Sequence, residues 1–370
     1  MNRYKICVYA ISKNEEQFVD RWMDAVSEAD EVIVTDTGST DGTVEKLRAR
    51  GATVYEESIS PWRFDTARNI ALDHVPEDAD ICVSNDLDEV FIPGWRSILE
   101  SAWKPDQTRA RYLFTFSLNS DGTPKKQYPM EKIHKRHGYR WIHPVHEILT
   151  YSGSEPEQSG WVTGLVLNHY PDNSKPRTQY LPLLELSVKE NPFDDRAMFW
   201  LGREYVFHGD YDQAIQTLNK HLSMPTASWL EERSASMRFI AHSYAEKGNK
   251  REELVWLYRA LAECPEVREP YHALAKFGYL ESNWALCFAI AQKGLTIKES
   301  TGSYLADPAS WGYALYDYAA ISAYRLGMYE TAEEYADQAL KIDPENKRLQ
   351  SNLLMIQQKS RKQASEEESS

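Results

Sequence analysis

Cysteine is scarce. The chain of 370 residues has four, Cys7, Cys82, Cys264 and Cys287, and no two of them form a CxxC pair. Two lie in stretches that read as buried strands, so the pattern argues against a disulfide framework and fits a reducing compartment. Long apolar runs are also missing, and none is long enough to span a membrane. The apolar start YKICVYAI breaks at once into SKNEE and does not read as a signal peptide. A soluble cytoplasmic protein is expected. Excess positive charge is the third absence. With 42 Lys and Arg against 56 Asp and Glu, the net charge is −14. That balance does not suit a general binder of phosphate backbones, though a local basic patch is compatible with it. Apolar material is plentiful, at 42% of residues. This supports real cores, and the length suggests two domains or more.

The first half alternates strand and helix signals. YKICVYAI, EVIVTD, ATVYEE and ADICVSN read as four strands, short and rich in β-branched residues. Between them, helical spacing runs from Glu15 to Val26 through Phe18 and Trp22, then in TVEKLRAR up to Gly51, and in DTARNIALDHV. Such alternation predicts a mostly parallel sheet covered on both faces. Ligands of such sheets bind beyond the carboxyl ends of the strands. Asp36 and Asp86 both stand just past predicted strand ends and are expected to face one crevice.

Strand signals stop near Asn173, and helical units with recurring small and aromatic residues begin. One unit holds Trp200, Gly202, Tyr205, Gly209, Tyr211, Ala214 and Pro225. Another holds Ala241, Tyr244, Gly248, Ala260 and Pro265. A late one holds Gly327, Tyr329, Ala332, Ala339 and Pro344, and a degenerate one is expected over Tyr271 to Leu295. The offsets resemble the tetratricopeptide repeat, a helix–turn–helix of about 34 residues whose units stack to bury their faces. Gly209 and Gly248 lie 39 residues apart, so helices or loops are longer than standard. The reading is an α/β domain over 1–172, an all-α repeat domain over 173–345, and a polar end over 346–370, partly disordered.

SNDLDEVF crowds three carboxylates, Asp86, Asp88 and Glu89, after the fourth strand. Two readings are open from the residues alone. Asp favours turns because its side chain bonds nearby backbone. Carboxylate oxygens also suit hard divalent cations, often shared with a substrate phosphate. A solvated carboxylate at a helix start is expected for Glu89.

AISKNEEQFV, VTDTGSTDGT, WRFDTARNIAL and NDLDE, in that order, resemble glycosyltransferase family 2, whose fold is GT-A, over most of residues 4 to 95. WIHPVHE, LNHYPD and the repeats are similar to the subgroup containing the sublancin-type peptide S-glycosyltransferases. The resemblance implies a metal-dependent, inverting transferase with a nucleoside diphosphate sugar donor, a UDP-sugar first, and Mn²⁺ or Mg²⁺ as cofactor. It implies that Asp88 is the direct metal ligand and that Asp86 contacts the ribose or the metal's water. Asp36 would accept from the base, against its other reading as a turn cap. Asn14 and Glu15 line the first loop, where the family contacts the nucleotide; an N-cap and first-turn acid is the other reading. Arg68 corresponds to the arginine that reaches the diphosphate. Many relatives carry an acid where Arg63 stands, so Arg63 and Asp65 receive no role.

KIHKRHGYRWIHPVHEIL concentrates Lys132, Lys135, Arg136 and Arg140 among four histidines. Basic residues with aromatics can track nucleic acid or bind a diphosphate, and the resemblance favours the diphosphate, with Lys135 and Arg136 on the donor. A solvated loop remains the other reading for His134 and His137. His146 or His169 would complete the metal shell, imidazole being a common ligand. Glu147 is the candidate base, since a partly buried carboxylate can take the acceptor's proton; its competitor is a role in orienting His146. A peptide or protein acceptor is favoured, a surface polysaccharide or modified nucleic-acid base being alternatives. The repeats offer a surface for partners and for a homo-oligomer. A reading of another class is a non-catalytic repeat scaffold with a relic first domain, against which Arg68, Asp86, Asp88 and Glu147 all stand intact.

Overall fold

The structure, a computed structural model, describes residues 4–172 and 178–367. It divides into two compact units, Met1–Glu190 and Asn191–Ser370. The boundary expected at Asn173 lies outside the described residues.

The first unit runs β1 (Ile6–Ser12), α1 (Glu16–Val26), β2 (Glu31–Asp36), α2 (Thr43–Ala49), β3 (Thr53–Glu56), α3 (Phe64–Asp73), β4 (Ile81–Ser84), β5 (Glu89–Phe91), α4 (Trp95–Ala102), β6 (Arg109–Leu118), β7 (Pro124–His134), β8 (Tyr139–Ile142), β9 (Ile148–Tyr151), β10 (Ser159–His169) and α5 (Tyr180–Glu190). Eight strands form one sheet in the order β3-β2-β1-β4-β7-β6-β10-β5. The first four are parallel, as alternating strands and helices require. The sheet is nevertheless mixed, because β7 lies antiparallel between β4 and β6, and β5 antiparallel to β10. β8 and β9 form a separate hairpin.

Period-two alternation divides β1 between two cores. Ile6, Val8 and Ala10 join Val19, Trp22 and Val26 of α1 and Trp95 and Leu99 of α4 on one face. Cys7 and Tyr9 join Ala71 and Leu72 of α3 and Trp141 and Leu149 of the hairpin on the other. Each large side chain so buried contributes about 1.5–3 kcal/mol. Helix α5 belongs to this unit: Tyr180 meets the rings of Phe64 and His146, and Glu190 pairs with Arg63.

The second unit is all helical: α6 (Asp195–His208), α7 (Tyr211–Ser223), α8 (Leu230–Glu246), α9 (Lys250–Glu263), α10 (Arg268–Leu280), α11 (Trp284–Gly294), α12 (Pro308–Trp311), α13 (Ala314–Arg325), α14 (Tyr329–Ile342) and α15 (Lys347–Glu367). The turns between paired helices repeat one backbone conformation. Gly209, Gly248 and Gly327 take left-handed φ of 78°, 72° and 80°, and the degenerate unit has Ser282 there at 54°. A glycine adopts that conformation without the Cβ penalty that Ser282 carries. α15 extends to Glu367, and its Leu349 and Ile356 are buried, so its apolar face continues the repeat packing before the polar run begins. Among the described residues, no helix is long and apolar enough to cross a membrane.

Candidate functional site

Parallel pairing of β2, β1 and β4 brings their carboxyl ends to one edge. Ser12 registers with Asp36, and Tyr9 with Ser84, so the turns carrying Asn14, Asp36 and Asp86 share that edge. This is the crevice expected from the alternating pattern.

At the second turn, Asp36 is 1% exposed, and both of its carboxylate oxygens are engaged locally. Oδ1 accepts from the backbone N–H of Gly38 and Ser39, and Oδ2 accepts from the hydroxyls of Ser12 and Ser39. These local bonds give Asp36 the geometry of a turn cap. Asn14 sits at φ 53°, and its Oδ1 accepts from Thr40 N at 2.7 Å, while its own N–H donates to Ser39 Oγ. Glu15 N–H donates to Thr43 Oγ1. Asn14 and Glu15 therefore clamp the first turn onto the second.

Beyond β4 the charges form a network. Arg68, on the buried side of α3, donates bidentately to Asp86 at 2.7 and 2.9 Å. Its Nε donates to Glu147, and its guanidinium stacks 5.1 Å from the Trp141 ring centroid. Lys132 Nζ bridges Asp86 Oδ2 at 3.1 Å and Glu89 Oε1 at 2.9 Å. Burial disfavours the ionised form of Asp86, yet Arg68 and Lys132 outweigh it and hold the carboxyl far below the usual range. For Glu89 burial dominates, and its pKa is raised despite Lys132. Arg68 is held between two carboxylates, Asp86 and Glu147. Glu89 is 3% exposed at the start of β5, not a solvated helix-start acid. Lys132 is the basic residue that reaches the cluster.

Lys135 and Arg136 are not brought to it. Antiparallel β7 pairs His134 with Cys82, so Lys132 lies toward the carboxyl end of β4 and residues 135 and 136 follow at its amino end. There Arg136 donates to Val75 O and pairs with Glu77, and Lys135 donates to Pro105 O. Arg140 pairs with Asp73 on the surface. Arg136, His137 and Arg140 thus pair with the 73–77 segment and not with the carboxylate cluster.

The segment that presents Glu147 is strapped to α3. Asn69 Nδ2 donates to Trp141 O at 2.8 Å, and its Oδ1 accepts from Trp141 N at 2.9 Å. Phe64 N donates to Pro144 O. His143 and His146 take φ of 77° and 50°, conformations uncommon for residues with a Cβ. Asn69 carried no signal in the sequence beyond its place beside Arg68.

His169 ends β10, and its Nε2 lies 3.3 Å from Asp88 Oδ2. Its Nδ1 lies 3.1 Å from Phe116 O, so Nδ1–H donates there and Nε2 faces the carboxylate. Burial lowers the imidazole pKa, but Asp88 more than offsets this and the net shift is upward. Two donors sharing one divalent ion at about 2.1 Å lie roughly 3 Å apart, so Asp88 and His169 fit such an ion. Asp86 fits less well, its oxygens being engaged by Arg68 and Lys132. His146 does not converge with Asp88 and His169 among the described residues. Its ring lies 5.7 Å from that of Tyr180.

His134 departs furthest from a solvated loop. It is fully buried. Trp141 Nε1–H donates to Tyr9 OH, which lies 2.9 Å from His134 Nε2, and Nδ1 lies 2.7 Å from Lys135 O. The carbonyl fixes the proton on Nδ1, so Nε2 accepts from Tyr9. Burial lowers the pKa to about 3. The unfolded chain, with a pKa of about 6.5, binds the proton first, so this contribution to stability is present above that value and is lost as pH falls toward 3. Between pH 7 and 5 the wild type is expected to lose about 2 kcal/mol more than His134→Gln. Denaturant unfolding of both at the two pH values measures it, and equal losses contradict the buried neutral imidazole. His137, in contrast, is exposed.

Residues 7–150 match the model of glycosyl transferase family 2. Residues 195–225 match a tetratricopeptide repeat, and residues 314–364 match the Fis1 C-terminal tetratricopeptide repeat. No curated protein matches the chain. Solved structures that resemble part of it include the Cut9–Hcn1 hetero-tetramer of APC/C, at 14% identity over 50% of this chain and 33% of that one, TM-score 0.38. This chain thus spans about a third of that one's length. MamA matches at 18% identity over 48% and 99% of the two chains, TM-score 0.37. TTC0263, a tetratricopeptide protein of Thermus thermophilus, matches at 17% over 48% and 88%, TM-score 0.33. The chain carries a glycosyl transferase family 2 domain in its first half and tetratricopeptide repeats in its second.

Proposed function

We propose that the first unit is a divalent-metal-dependent, inverting glycosyltransferase that takes its sugar from a nucleoside diphosphate donor, a UDP-sugar first. The observation that carries this reading is the Asp88–His169 pair, an oxygen and a nitrogen 3.3 Å apart at the ligand-binding edge of the sheet. A divalent ion there supplies charge stabilisation to the departing diphosphate. Asp86, kept ionised by Arg68 and Lys132, accepts from a donor hydroxyl. Asn14 and Glu15 hold the first loop against the second, and so shape the floor on which the nucleotide lies. The repeat domain recruits the acceptor, a peptide or protein side chain.

Glu147 is the base in this reading. Arg68 engages its Oε1, and among the described residues its Oε2 has no hydrogen-bond partner, so Oε2 takes the acceptor's proton. Arg68 acts through Glu147 as a positioning residue. Glu147→Gln is expected to lower kcat for a hydroxyl acceptor by about 10²–10⁴ while donor KM and Mn²⁺ affinity hold. A fall in metal affinity with kcat preserved would reassign Glu147 to support of the metal shell. Unchanged kinetics would remove it from the site altogether.

A further inference from the structure

The repeats hold a group of side chains that sugar transfer does not use. Asp195 opens α6, His221 lies in the last turn of α7, and Glu232 lies in the first turn of α8. One ligand atom from each lies within 4.8 Å of the other two. His221 is 0% exposed and Glu232 5%, while Asp195 is half-buried.

Ser236 Oγ lies 2.9 Å from His221 Nδ1 and fixes the ring. The opposite nitrogen, Nε2, is buried and makes no hydrogen bond. It stands 3.4 Å from Glu232 Oε1. Tyr304 OH donates to the other oxygen of Glu232 at 2.8 Å, which turns Oε1 toward the imidazole. Among the described residues neither Asp195 nor Glu232 pairs with a lysine or arginine. Two carboxylates therefore converge on one unsatisfied nitrogen in a place with little water. Two unit charges of one sign are costly there without a counterion.

We infer that Asp195, His221 and Glu232 bind a divalent transition-metal ion, which staples the first helical repeat together. Its charge matches the two carboxylates. One imidazole and two carboxylates are a donor set that Zn²⁺ accepts, three protein ligands leaving a further position for water. Tetrahedral ligands at about 2.0–2.1 Å lie roughly 3.3 Å apart, which the His221–Glu232 spacing already meets. Asp195, half-buried at a helix start, closes the set by a small rotation. Ser236 supplies the hydrogen bond that orients a metal-bound histidine through its other nitrogen.

Zinc titration of the full-length, chelator-treated protein tests this in the Asp88→Asn background, which weakens metal binding at the sheet edge. One equivalent is expected to bind and to slow amide exchange at the start of α6, the end of α7 and the start of α8. His221→Gln and Glu232→Gln should each lose this equivalent, and Ser236→Ala should weaken it about 10–100-fold. Exchange in the Asp88→Asn protein needs no change in the repeat, so it stands even if a variant misfolds. The inference is overturned if no zinc binds, if protection falls elsewhere, or if folded His221→Gln and Glu232→Gln bind zinc unchanged. A buried imidazolium ion-paired to Glu232 would give the first of those results.

Discussion

Asp88→Asn is expected to cut sugar transfer by about a thousandfold or more. The amide keeps the shape of the side chain but loses the charge that a divalent ion requires. Metal stabilisation of a departing diphosphate is worth several kcal/mol, and each 1.36 kcal/mol is a factor of ten. The fold should survive, because Asp88 pairs at 3.3 Å with His169 at the rim and is a quarter exposed. Steady-state kinetics at several Mn²⁺ concentrations, with far-ultraviolet circular dichroism as the folding control, read the effect. Turnover that is unchanged and resistant to chelator would remove the metal from the account. His169→Gln should weaken Mn²⁺ binding in the same assay, and His146→Gln should not, because His146 packs against Tyr180 and does not converge with Asp88 and His169 among the described residues.

Arg68→Met is expected to have the largest effect on stability. Arg68 is the shared cation of Asp86 and Glu147, with 8% of its side chain exposed. Removing one partner of a buried ion pair costs about 3–5 kcal/mol, since the remaining charges stay buried without it. The lower end is expected, about 3 kcal/mol, because Lys132 still meets Asp86. Arg68→Lys should recover little. An ammonium cannot meet both oxygens of Asp86 and the carboxylate of Glu147 at once, nor stack on Trp141 in the manner of a guanidinium. Denaturant midpoints of the three proteins measure this, and a loss under about 1 kcal/mol for Arg68→Met would mean that the network is solvated. Activity should fall with stability, since Glu147 loses the contact that aims it.

Much of this arrangement was legible in the sequence, and the limits have physical causes. The first four strands and the helices between them follow from local pattern, as EVIVTD does residue for residue in β2. Asp36, Asp86 and Asn14 come to one edge because parallel strands joined by helices leave no other choice. The position of the basic segment depends on register. β7 enters antiparallel beside β4, and a strand running the other way sends Lys132 to the functional edge and Lys135 and Arg136 to the opposite one. Nothing local in KIHKRH states that direction. Burial is likewise a property of neighbours: Glu89 and His134 look like solvated residues until Lys132 and Tyr9 are placed beside them. The pairing of Asp88 with His169 spans 81 residues of chain and rests on β10 meeting β5, with His169 opposite Glu89. In the repeats, Gly209, Gly248 and Gly327 announced the turns, whereas Ser282 hid the third because it takes the same φ without being glycine.

The central claim is that Asp88 and His169 hold a divalent ion for departure of a nucleoside diphosphate. Its most direct test is release of that diphosphate by the wild-type protein from a panel of nucleotide sugars, UDP-sugars first, with Mn²⁺ and then with excess chelator. The account predicts release from at least one donor, abolished by chelator and restored by added Mn²⁺. Failure of every donor to react or to raise the melting temperature in the presence of Mn²⁺ would contradict it, as would release that continues undiminished in chelator.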